Sequence, residues 1–276
     1  MTLIDGKSIS AKVKDEIKSA ASDLAAKGVE PALAVILVGE DAASKTYVAS
    51  KEKACAACGI RSVAHRLSSN VSEAALLELI ENLNEDESID GILVQLPLPK
   101  HIDTNKILEK ISPQKDVDGF SAINVGKLTS GLADGFVPCT PLGVMRLLEE
   151  YGVQIAGKNA VVLGRSNIVG KPMASLLLNA DATVTIAHSK TKGLKQLCAD
   201  ADILVAAVGR THFVSADMVK EGAVVIDVGI NRGEDGKLRG DVDFDAVAPK
   251  CSFITPVPGG VGPMTIAMLL SNTIKS

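Results

Sequence analysis

Residues 161–172 read Val-Val-Leu-Gly-Arg-Ser-Asn-Ile-Val-Gly-Lys-Pro, an apolar segment followed by a glycine turn. The run Ala160–Leu163 has the apolar, β-branched composition of a buried parallel strand. Gly164 suits a tight turn because glycine accepts backbone conformations that are closed to other residues, and Val169–Asn179 is predicted to continue as a helix. A strand, a tight turn and a helix N-terminus together form an anion site, since unpaired N–H groups and the helix dipole point to one place.

The turn is an irregular form of the dinucleotide-binding fingerprint G-x-G-x-x-G. Ser166 stands in place of the second glycine, and the run from Gly164 to Gly170 contains one extra residue. Taken alone, such a turn is also compatible with an ordinary strand-to-helix connection that binds nothing. The residues that follow must therefore decide whether it binds a dinucleotide.

A second predicted strand, Ala182–Ala187, supports the dinucleotide interpretation. It ends roughly 20 residues after the turn, where dinucleotide-binding folds place the residue that contacts the adenosine ribose. An acidic residue there would bind the 2′-hydroxyl and repel a 2′-phosphate, whereas His188, Ser189 and Lys190 offer cationic and hydroxyl groups. Arg165 adds a further cation in the first turn. The pattern predicts NADP rather than NAD as the cofactor.

The overall composition is that of a globular protein without the features that bind nucleic acid or membranes. The 276 residues are 46% hydrophobic and 22% charged, and the net charge is −4. With that charge, no tryptophan and 3% aromatic residues, the chain has neither an electrostatic footprint nor a stacking surface for nucleic acid. No apolar run approaches the ~20 residues that cross a bilayer, and the N-terminus has no basic region followed by an apolar one. We expect a cytoplasmic location.

The five cysteines do not form the pattern of a disulfide framework, because their number is odd and they are scattered along the chain. Cys55 and Cys58 make the only C-x-x-C pair, and a zinc site would need a second pair of ligands. The four histidines show no metal-binding spacing. We therefore predict no metal site and interpret this pair as two small buried thiols on a helix.

Strands and helices alternate in both halves of the chain, which predicts an α/β fold with parallel sheets. The predicted strands are Ala32–Val38, Ile60–Arg66, Gly91–Val94, Ala160–Leu163 and Ala182–Ala187, with further strand-and-helix units through Ala199–Val208 and Ala223–Val228. The predicted helices are Ser8–Lys27, Asp41–Cys58, Ser72–Glu85, Thr104–Ile111, Thr140–Glu150 and Met264–Lys275. Residues 113–141 lack periodicity and are rich in Gly, Pro and Asp, so they are the predicted domain junction and the floor of a cleft. Residues 258–263 are predicted to form a turn that presents backbone to a ligand.

The predicted helix after Val38 carries polar groups at helical spacing. Ser44, Tyr47 and Lys51 are three and four residues apart, which places a hydroxyl, a phenol and an ammonium on one face. The same stripe continues to Cys55, so we expect this face to point inward and Lys51 to be partly desolvated, which favours its neutral, basic form. A solvated surface lysine is the ordinary alternative.

Two further polar sites follow predicted strands, at the edge where parallel sheets bind ligands. Gln95 is the first polar residue after Gly91–Val94, although it could merely satisfy backbone groups in a proline turn. Asp116 and Asp118, followed by Gly119, lie in the predicted junction, although turn formation alone also explains an Asp-Gly pair.

Taken together, these segments resemble the bifunctional methylenetetrahydrofolate dehydrogenase/cyclohydrolase family. The resemblance spans nearly the whole chain, and the set is specific because its members occur in one fixed order. The segments that carry it are Tyr47–Lys51, Val94–Pro99, Lys115–Gly119, Pro138–Pro141, Gly164–Pro172, Gly240–Asp243 and Pro256–Thr265.

The resemblance implies two domains with a cleft between them. Residues 1–139 would form an N-terminal α/β catalytic domain, completed by a C-terminal helix at 263–276, and residues 140–262 would form a Rossmann-like NADP-binding domain. It also implies a folate substrate, usually a homodimer, and a place in one-carbon metabolism that feeds purine, methionine and histidine synthesis. The formate-activating synthetase activity of larger relatives is not expected.

The resemblance also assigns roles to individual residues. Lys51 would be the acid/base residue with Gln95 as its partner, Tyr47 would stack on the folate, and Asp118 would bind the pterin. The residues that would line the NADP site are Gly164, Arg165, Ser166, Ser189 and Ile230.

Two other functions stay open at this point. The same fold could serve an NADP-dependent dehydrogenase of another small substrate, such as a cyclic hydroxy acid, with Lys51 and Asp118 as its polar pair. It could also serve a dinucleotide sensor that performs no turnover.

Overall fold

The computed structural model describes residues 1–233 and 235–276. The chain divides into two compact units, one formed by Met1–Ala11 with Thr140–Thr265 and the other by Lys12–Cys139 with Ile266–Ser276. Both units combine parallel strands with helices, so the predicted α/β class is confirmed. No helix in the described ranges is long and apolar enough to cross a membrane.

The bounds of the elements are as follows. The strands are β1 Thr2–Leu3, β2 Ala32–Val38, β3 Arg61–Leu67, β4 Gly91–Val94, β5 Asn159–Leu163, β6 Thr183–Ala187, β7 Ile203–Ala206, β8 Val224–Asp227, β9 Asn231–Arg232, β10 Leu238–Arg239 and β11 Phe253–Ile254. The helices are α1 Gly6–Ala25, α2 Ala42–Ala57, α3 Glu73–Glu85, α4 Thr104–Lys110, α5 Ala122–Thr129, α6 Cys139–Glu150, α7 Gly170–Asn179, α8 Leu194–Ala199, α9 Phe244–Val247 and α10 Val261–Lys275.

The unit that contains Lys12–Cys139 is built on a three-stranded parallel sheet in the order β3-β2-β4. Every residue of the central strand β2 is buried, because strands flank it on both sides and its faces are covered. Leu76 and Ile80 of α3 and Ile107 of α4 pack in the same core and have no exposed surface. Burying each such side chain contributes about 1.5–3 kcal/mol, so this packing holds the helices onto the sheet.

The unit that contains Thr140–Thr265 is built on a six-stranded sheet in the order β1-β11-β8-β7-β5-β6, and all of its pairings are parallel. The chain goes from β5 outward to β6 and then returns to β7 on the other side of β5. The strand order therefore reverses between β5 and β7, and ligands of open α/β sheets bind at such a reversal, beyond the carboxyl ends of the strands.

The predicted element boundaries differ from the structure at both ends of the chain. Helix α1 begins at Gly6 rather than Ser8, because the Asp5 carboxylate accepts hydrogen bonds from the N–H groups of Lys7 and Ser8 at 3.0 and 3.3 Å and so caps the helix. Helix α10 begins at Val261, so the second half of the predicted 258–263 turn is already helical. Strand β1 was not predicted, because two residues are too few to show a period.

The predicted irregular stretch 113–141 contains the helix α5. Its sequence includes Asn124 and Gly126, which have low helix propensity, so the local pattern does not reveal it. Tertiary contacts stabilise it instead. The Ser121 hydroxyl caps it by accepting from the Asn124 N–H at 3.3 Å, and the Asn124 side chain donates to Asp116 at 2.9 Å.

Candidate active site and cofactor site

A hydrogen bond joins Lys51 to Gln95, two residues that follow neighbouring strands. Lys51 lies on α2, which follows β2, and Gln95 comes directly after β4. Strands β2 and β4 are parallel neighbours, so their carboxyl ends lie together, and the Gln95 N–H continues the ladder by donating to the Ile36 carbonyl at 2.8 Å. The Lys51 Nζ donates to the Gln95 Oε1 at 3.0 Å, and both side chains are half-buried. The predicted pairing of these two residues is therefore present in the structure.

The orientation of the Gln95 amide is fixed by its second hydrogen bond. Its Nε2 donates to the carbonyl of Leu96 at 2.7 Å. Because an amide nitrogen only donates and an amide oxygen only accepts, this contact turns the oxygen toward the ammonium of Lys51. Gln95 thus holds the Lys51 Nζ in one place.

The polar stripe on α2 lies at the border of the buried face rather than wholly on it. Ser44 and Cys55 are buried as expected, and so is Val48, but Lys51 is only half-buried and the Tyr47 side chain is 48% exposed. The prediction that the whole stripe points inward is therefore wrong for Tyr47. An exposed aromatic ring next to a half-buried lysine is available to stack on a planar ligand.

The thiols of Cys55 and Cys58 are buried, as predicted. Burial raises the pKa of Cys55 to about 12, so this thiol is protonated and inert at neutral pH. No group of three or more His, Cys, Asp or Glu side chains in the described ranges is arranged to hold a metal ion.

The two aspartates of the 116–119 segment have different environments. The Asp116 side chain is 1% exposed and accepts hydrogen bonds from the N–H groups of Phe120 and Ser121 and from the Asn124 amide. Those contacts close the turn and hold α5, so Asp116 is structural. Asp118 is half-buried, and the hydrogen bond found for its carboxylate comes from the Cys139 thiol at 3.7 Å.

Asp118 belongs to the same electrostatic neighbourhood as Lys51. Burial raises the pKa of Asp118 to about 6, the positive charge of Lys51 lowers it, and the negative charge of Asp116 raises it. Burial and the nearby Asp118 raise the pKa of the Cys139 thiol well above its usual range, so the thiol stays protonated and donates. The structure therefore brings together the Lys51 ammonium, the Gln95 amide that accepts from it, and the Asp118 carboxylate, whose pKa is influenced by the charge of Lys51.

The segment that carries Asp118 is held by a residue that sequence reasoning missed. Asn272 of α10 is 4% exposed, and its Nδ2 donates to the carbonyl oxygens of Val117 at 2.8 Å and Val137 at 3.0 Å. No local pattern points to this asparagine, because its partners lie more than 130 residues away.

Gly119 lets the same segment pass close to residues 136–138. It has a φ of +70°, and a Cβ at this position would lie 2.8 Å from the Phe136 oxygen. A side chain is therefore excluded here by both strain and space.

A cavity of about 330 Å³ lies at the carboxyl ends of β5, β6 and β7, where the strand order reverses. The described residues that line it are Leu163, Gly164, Arg165, Ser166, Ala187, His188, Ser189, Leu194, Ala207, Val208, Arg210 and Phe213. Four of the five predicted cofactor residues are in this set, and Ile230 is not. Ile230 follows β8, is 47% exposed and lies near Gly262.

The glycine turn is tight because the backbone passes close to itself and to the next strand. Gly164 has a φ of +121°, and a Cβ there would lie 2.3 Å from the Ala207 oxygen. A Cβ on Gly170 would lie 2.3 Å from the Gly164 oxygen. Ser166 takes the place of the second glycine of the usual fingerprint, and its hydroxyl accepts from the N–H groups of Val169 and Gly170, both at 3.2 Å. The serine thus ties the longer turn to the start of α7.

The tip of β6 carries no acidic residue, as the sequence indicates. Ser189 is exposed and lines the cavity together with His188. The His188 ring nitrogen Nδ1 accepts from the Lys190 N–H at 3.2 Å, and the His188 N–H donates to the Thr191 hydroxyl at 2.9 Å. These contacts fold the tip into a turn, and Ser189 in this turn lines the same cavity as Arg165.

Two family models match the two parts of the chain. Residues 4–118 match the tetrahydrofolate dehydrogenase/cyclohydrolase catalytic domain, and residues 138–276 match the tetrahydrofolate dehydrogenase/cyclohydrolase NAD(P)-binding domain. The chain belongs to the tetrahydrofolate dehydrogenase/cyclohydrolase family.

Two relatives with high sequence identity come from bacteria of the genus Campylobacter. The chain is 73% identical over 276 residues to the bifunctional protein FolD of Campylobacter curvus, covering 100% of this chain and 96% of that protein. It is 71% identical to the bifunctional protein FolD of Campylobacter hominis over 276 residues, covering 100% and 97%.

Solved structures of family members have the same fold. The bifunctional FolD methylenetetrahydrofolate dehydrogenase/cyclohydrolase of Campylobacter jejuni matches with a TM-score of 0.99 and 58% identity, covering 100% of this chain and 98% of that one. The Trypanosoma brucei N5,N10-methylenetetrahydrofolate dehydrogenase-cyclohydrolase, solved in complex with NADP cofactor and an inhibitor, matches with a TM-score of 0.94 and 43% identity, covering 99% and 96%.

The raised pKa of Asp118 predicts a pH-dependent stability difference between the wild-type protein and Asp118→Asn. The pKa of Asp118 is about 6 in the folded protein, above the usual 3.8 of an aspartate, so between these pH values the folded wild type binds more protons than the unfolded chain and loses stability as the pH rises. Asparagine does not ionise, so Asp118→Asn should melt at nearly the wild-type temperature at pH 4. At pH 7 it should be more stable by roughly 1–3 kcal/mol.

The control is Asp86→Asn, at an exposed carboxylate whose pKa is lowered by hydrogen bonds from Ser88. The pKa of Asp86 lies below the usual 3.8, so this group titrates mostly below pH 4, and the melting difference between Asp86→Asn and wild type should stay nearly constant from pH 4 to pH 8. Thermal melting of the three proteins from pH 4 to pH 8 makes the comparison. A difference for Asp118→Asn that does not change over this range would show that burial leaves the Asp118 carboxylate unperturbed.

Proposed function

We propose that this protein oxidises 5,10-methylenetetrahydrofolate with NADP to 5,10-methenyltetrahydrofolate, and then hydrolyses this product to 10-formyltetrahydrofolate. The observation that carries the proposal is the hydrogen bond from Lys51 Nζ to Gln95 Oε1 in the unit that also holds Asp118 and Tyr47. Support comes from relatives at 71–73% identity over the full chain, which are bifunctional FolD proteins.

The oxidation step needs positioning more than proton transfer. Hydride leaves the carbon that bridges N5 and N10, and the nitrogen lone pairs stabilise the cation that remains, so no base is required. The exposed ring of Tyr47 is available to stack on the folate, and the Asp118 carboxylate is available to accept from the amino and ring N–H groups of the pterin. These two side chains would hold the folate so that the carbon between N5 and N10 is positioned for hydride transfer to NADP.

The hydrolysis step needs both a base and an acid. Water adds to the cationic methenyl carbon and must lose a proton, and one of the two carbon–nitrogen bonds must then break with a proton going to the departing nitrogen. An amine that alternates between its neutral and charged forms can perform both transfers in turn. Lys51 has this chemistry, and Gln95 fixes the place of its Nζ.

The NADP site would be formed at the carboxyl ends of the six-stranded sheet. Its donor set fits the cofactor, because the glycine turn suits a diphosphate and the cavity carries Arg165 and Ser189 but no acidic side chain among its described lining residues. When bound, NADP supplies the acceptor for the hydride. Ile230 lies outside the cavity and would contact a part of the cofactor that extends beyond it.

The finer assignments belong to the same proposal. Residues 1–139 with 263–276 would be the catalytic domain and residues 140–262 the NADP-binding domain. The enzyme would work in the cytoplasm in one-carbon metabolism that supplies purine, methionine and histidine synthesis, without nucleic acid or membrane partners.

A homodimer is proposed on the basis of an open sheet edge. Strand β3 pairs with β2 on one side only, and no backbone hydrogen bond within the described ranges crosses its outer edge. An unpaired edge of seven residues is a template for a second copy of the chain.

The proposal predicts formation of methenyltetrahydrofolate when the purified protein is mixed with methylenetetrahydrofolate and NADP. Absorbance of the methenyl product should rise and then fall as hydrolysis proceeds, and kcat/KM with NADP should exceed that with NAD. NADP binding without any absorbance change would favour a dinucleotide sensor. Absence of folate turnover together with oxidation of another small alcohol would favour the alternative dehydrogenase.

Replacing Lys51 by methionine should separate the two activities, because methionine has a similar length but no amine. Methenyl hydrolysis should fall by the ~10²–10⁴-fold typical of lost general acid/base catalysis, while methylene oxidation should fall much less. Asp118→Ala should instead lower both activities together, since it loosens the shared substrate.

The two reactions are assayed separately on each variant, and thermal melting confirms that each is folded. Lys45→Met provides a matched control on the same helix, since Lys45 pairs with the exposed Glu40. A folded Lys51→Met variant that hydrolyses the methenyl substrate at the wild-type rate would rule out the acid/base role.

A further inference from the structure

A second arginine lines the cofactor cavity, and neither the sequence pattern nor the resemblance pointed to it. Arg210 lies just after β7 and is exposed. Its side chain lines the same cavity as Arg165 and Ser189. Neither arginine forms an ion pair with any residue in the ranges 1–233 and 235–276, and none of the described lining residues is acidic. The cavity is therefore lined by two arginines and by no acidic side chain among the described residues.

The order of the strands explains how three separate segments meet there. Strand β5 lies between β6 and β7 in the sheet. Arg165 follows β5 in the centre, Ser189 follows β6 on one side and Arg210 follows β7 on the other. Neighbouring strands are about 4.8 Å apart, a spacing short enough for long side chains from adjacent tips to contact one small group.

The backbone of the Arg210 loop is held in place by one buried carboxylate. The N–H groups of Val208, Gly209 and Arg210 donate to the Asp241 carboxylate at 2.6, 2.9 and 2.8 Å. Asp241 is fully buried and also accepts from the Asn231 side chain at 2.9 Å. Three consecutive N–H groups on one carboxylate leave this loop little freedom, so the Arg210 backbone has a defined position.

The Arg210 side chain is held as well. Its guanidinium carbon lies 4.8 Å from the centroid of the Phe213 ring, and this ring also lines the cavity. Stacking on an aromatic ring restricts the rotamers of arginine and leaves its N–H groups free to donate at the edges. Because the Arg210 side chain is already restricted, it loses less conformational entropy when it binds an anion.

We propose that Arg210 is a second binding residue for the phosphate on the adenosine 2′-oxygen of NADP, together with Arg165 and Ser189. The inference rests on the proposed NADP-dependent function and extends its cofactor site. A phosphate monoester carries a charge of about −1.5 to −2 at pH 7, so one arginine and one hydroxyl leave much of that charge uncompensated. A second, preorganised arginine supplies the missing charge and makes Arg210 a determinant of the choice of NADP over NAD.

Two other roles for Arg210 give different results in a binding experiment. If Arg210 only packs against Phe213, its removal changes no nucleotide affinity. If it contacts the adenine ring or the diphosphate, its removal weakens NADP and NAD by the same factor, because both cofactors share these groups.

The test is calorimetric titration of the full-length protein with NADP, NAD, 2′-AMP and 5′-AMP. The variants are Arg210→Ala, Arg210→Lys and Arg165→Ala, each checked by thermal melting. Lys220→Ala is the matched control, since it also removes one positive charge from the same unit. Lys220 pairs with Asp202, which precedes β7 and so lies at the opposite end of the strands from the cavity.

Arg210→Ala should raise the Kd for NADP and for 2′-AMP about 10-fold or more, as expected for a lost charge-assisted contact, and should change the Kd for NAD and 5′-AMP less than about threefold. Arg210→Lys keeps the charge and should recover most of the loss. Lys220→Ala should bind all four ligands as the wild type does. Salt should weaken NADP binding less in Arg210→Ala than in the wild type, because fewer charges are paired.

The outcomes separate this inference from the proposed function. A wild-type protein that does not bind NADP would contradict the proposed function itself. A wild type that binds NADP, together with an Arg210→Ala variant that binds it equally well or loses NADP and NAD affinity in equal proportion, would overturn the role of Arg210 alone.

Discussion

Parallel pairing of the strands is the constraint on which both sites depend. Because every strand in the three-stranded sheet and in the six-stranded sheet points the same way, the segments that follow the strands of each sheet meet at one edge. Lys51 and Gln95 meet because β2 and β4 are parallel neighbours, although 44 residues separate them. Arg165, Ser189 and Arg210 meet because β5, β6 and β7 are parallel neighbours. Parallel pairing thus brings together side chains that lie far apart in the sequence.

Buried carboxylates in this protein serve two different purposes, and their hydrogen bonds distinguish them. Asp116 and Asp241 are each held by several N–H donors from neighbouring loops, which compensates for their loss of water. Asp227 belongs to the same class, with donors from three backbone N–H groups, and burial raises its pKa to about 6. These groups fix loops.

Asp118 is the exception among these carboxylates. It accepts a long hydrogen bond from the Cys139 thiol and has the charge of Lys51 nearby, so its oxygen atoms retain capacity to accept from a ligand. Asn272, Gly119 and the contacts of Asp116 hold the segment while leaving this one carboxylate available. A carboxylate can recognise a substrate when its backbone is held rigidly and its oxygen atoms still have free capacity to accept hydrogen bonds.

The sequence predicted those elements of the fold that can be recognised from a short stretch of residues. Strands β2 and β4 were predicted to the residue, because short continuous apolar runs bounded by turn residues are typical of buried parallel strands. The lack of an acid at the tip of β6 followed from the sequence itself, whereas the pairing of Lys51 with Gln95 was implied only by the resemblance to the family. Helix α5, with its low helix propensity, depends on tertiary hydrogen bonds and was not predicted.

The residues that sequence reasoning missed act through contacts between distant parts of the chain. Asn272 reaches residues more than 130 positions away. Asp241 lies in one of the segments that carry the resemblance, but its role was not predicted, because it binds a loop more than 30 positions before it. Arg210 lines the cofactor cavity only because β7 returns beside β5. Tyr47 was placed on the correct helix, but a helical stripe alone does not tell which of its members lies at the border of the buried face.

The central claim is that Lys51 and Gln95 act as one unit because the sheet brings them together. A double-mutant cycle on methenyl hydrolysis with Lys51→Met, Gln95→Ala and both changes tests it most directly. If Gln95 acts only by holding the Lys51 amine, the double variant should be about as slow as Lys51→Met alone, within about threefold. If the two losses multiply, each residue acts independently, and the claim that the 3.0 Å hydrogen bond between them organises the hydrolytic site is contradicted.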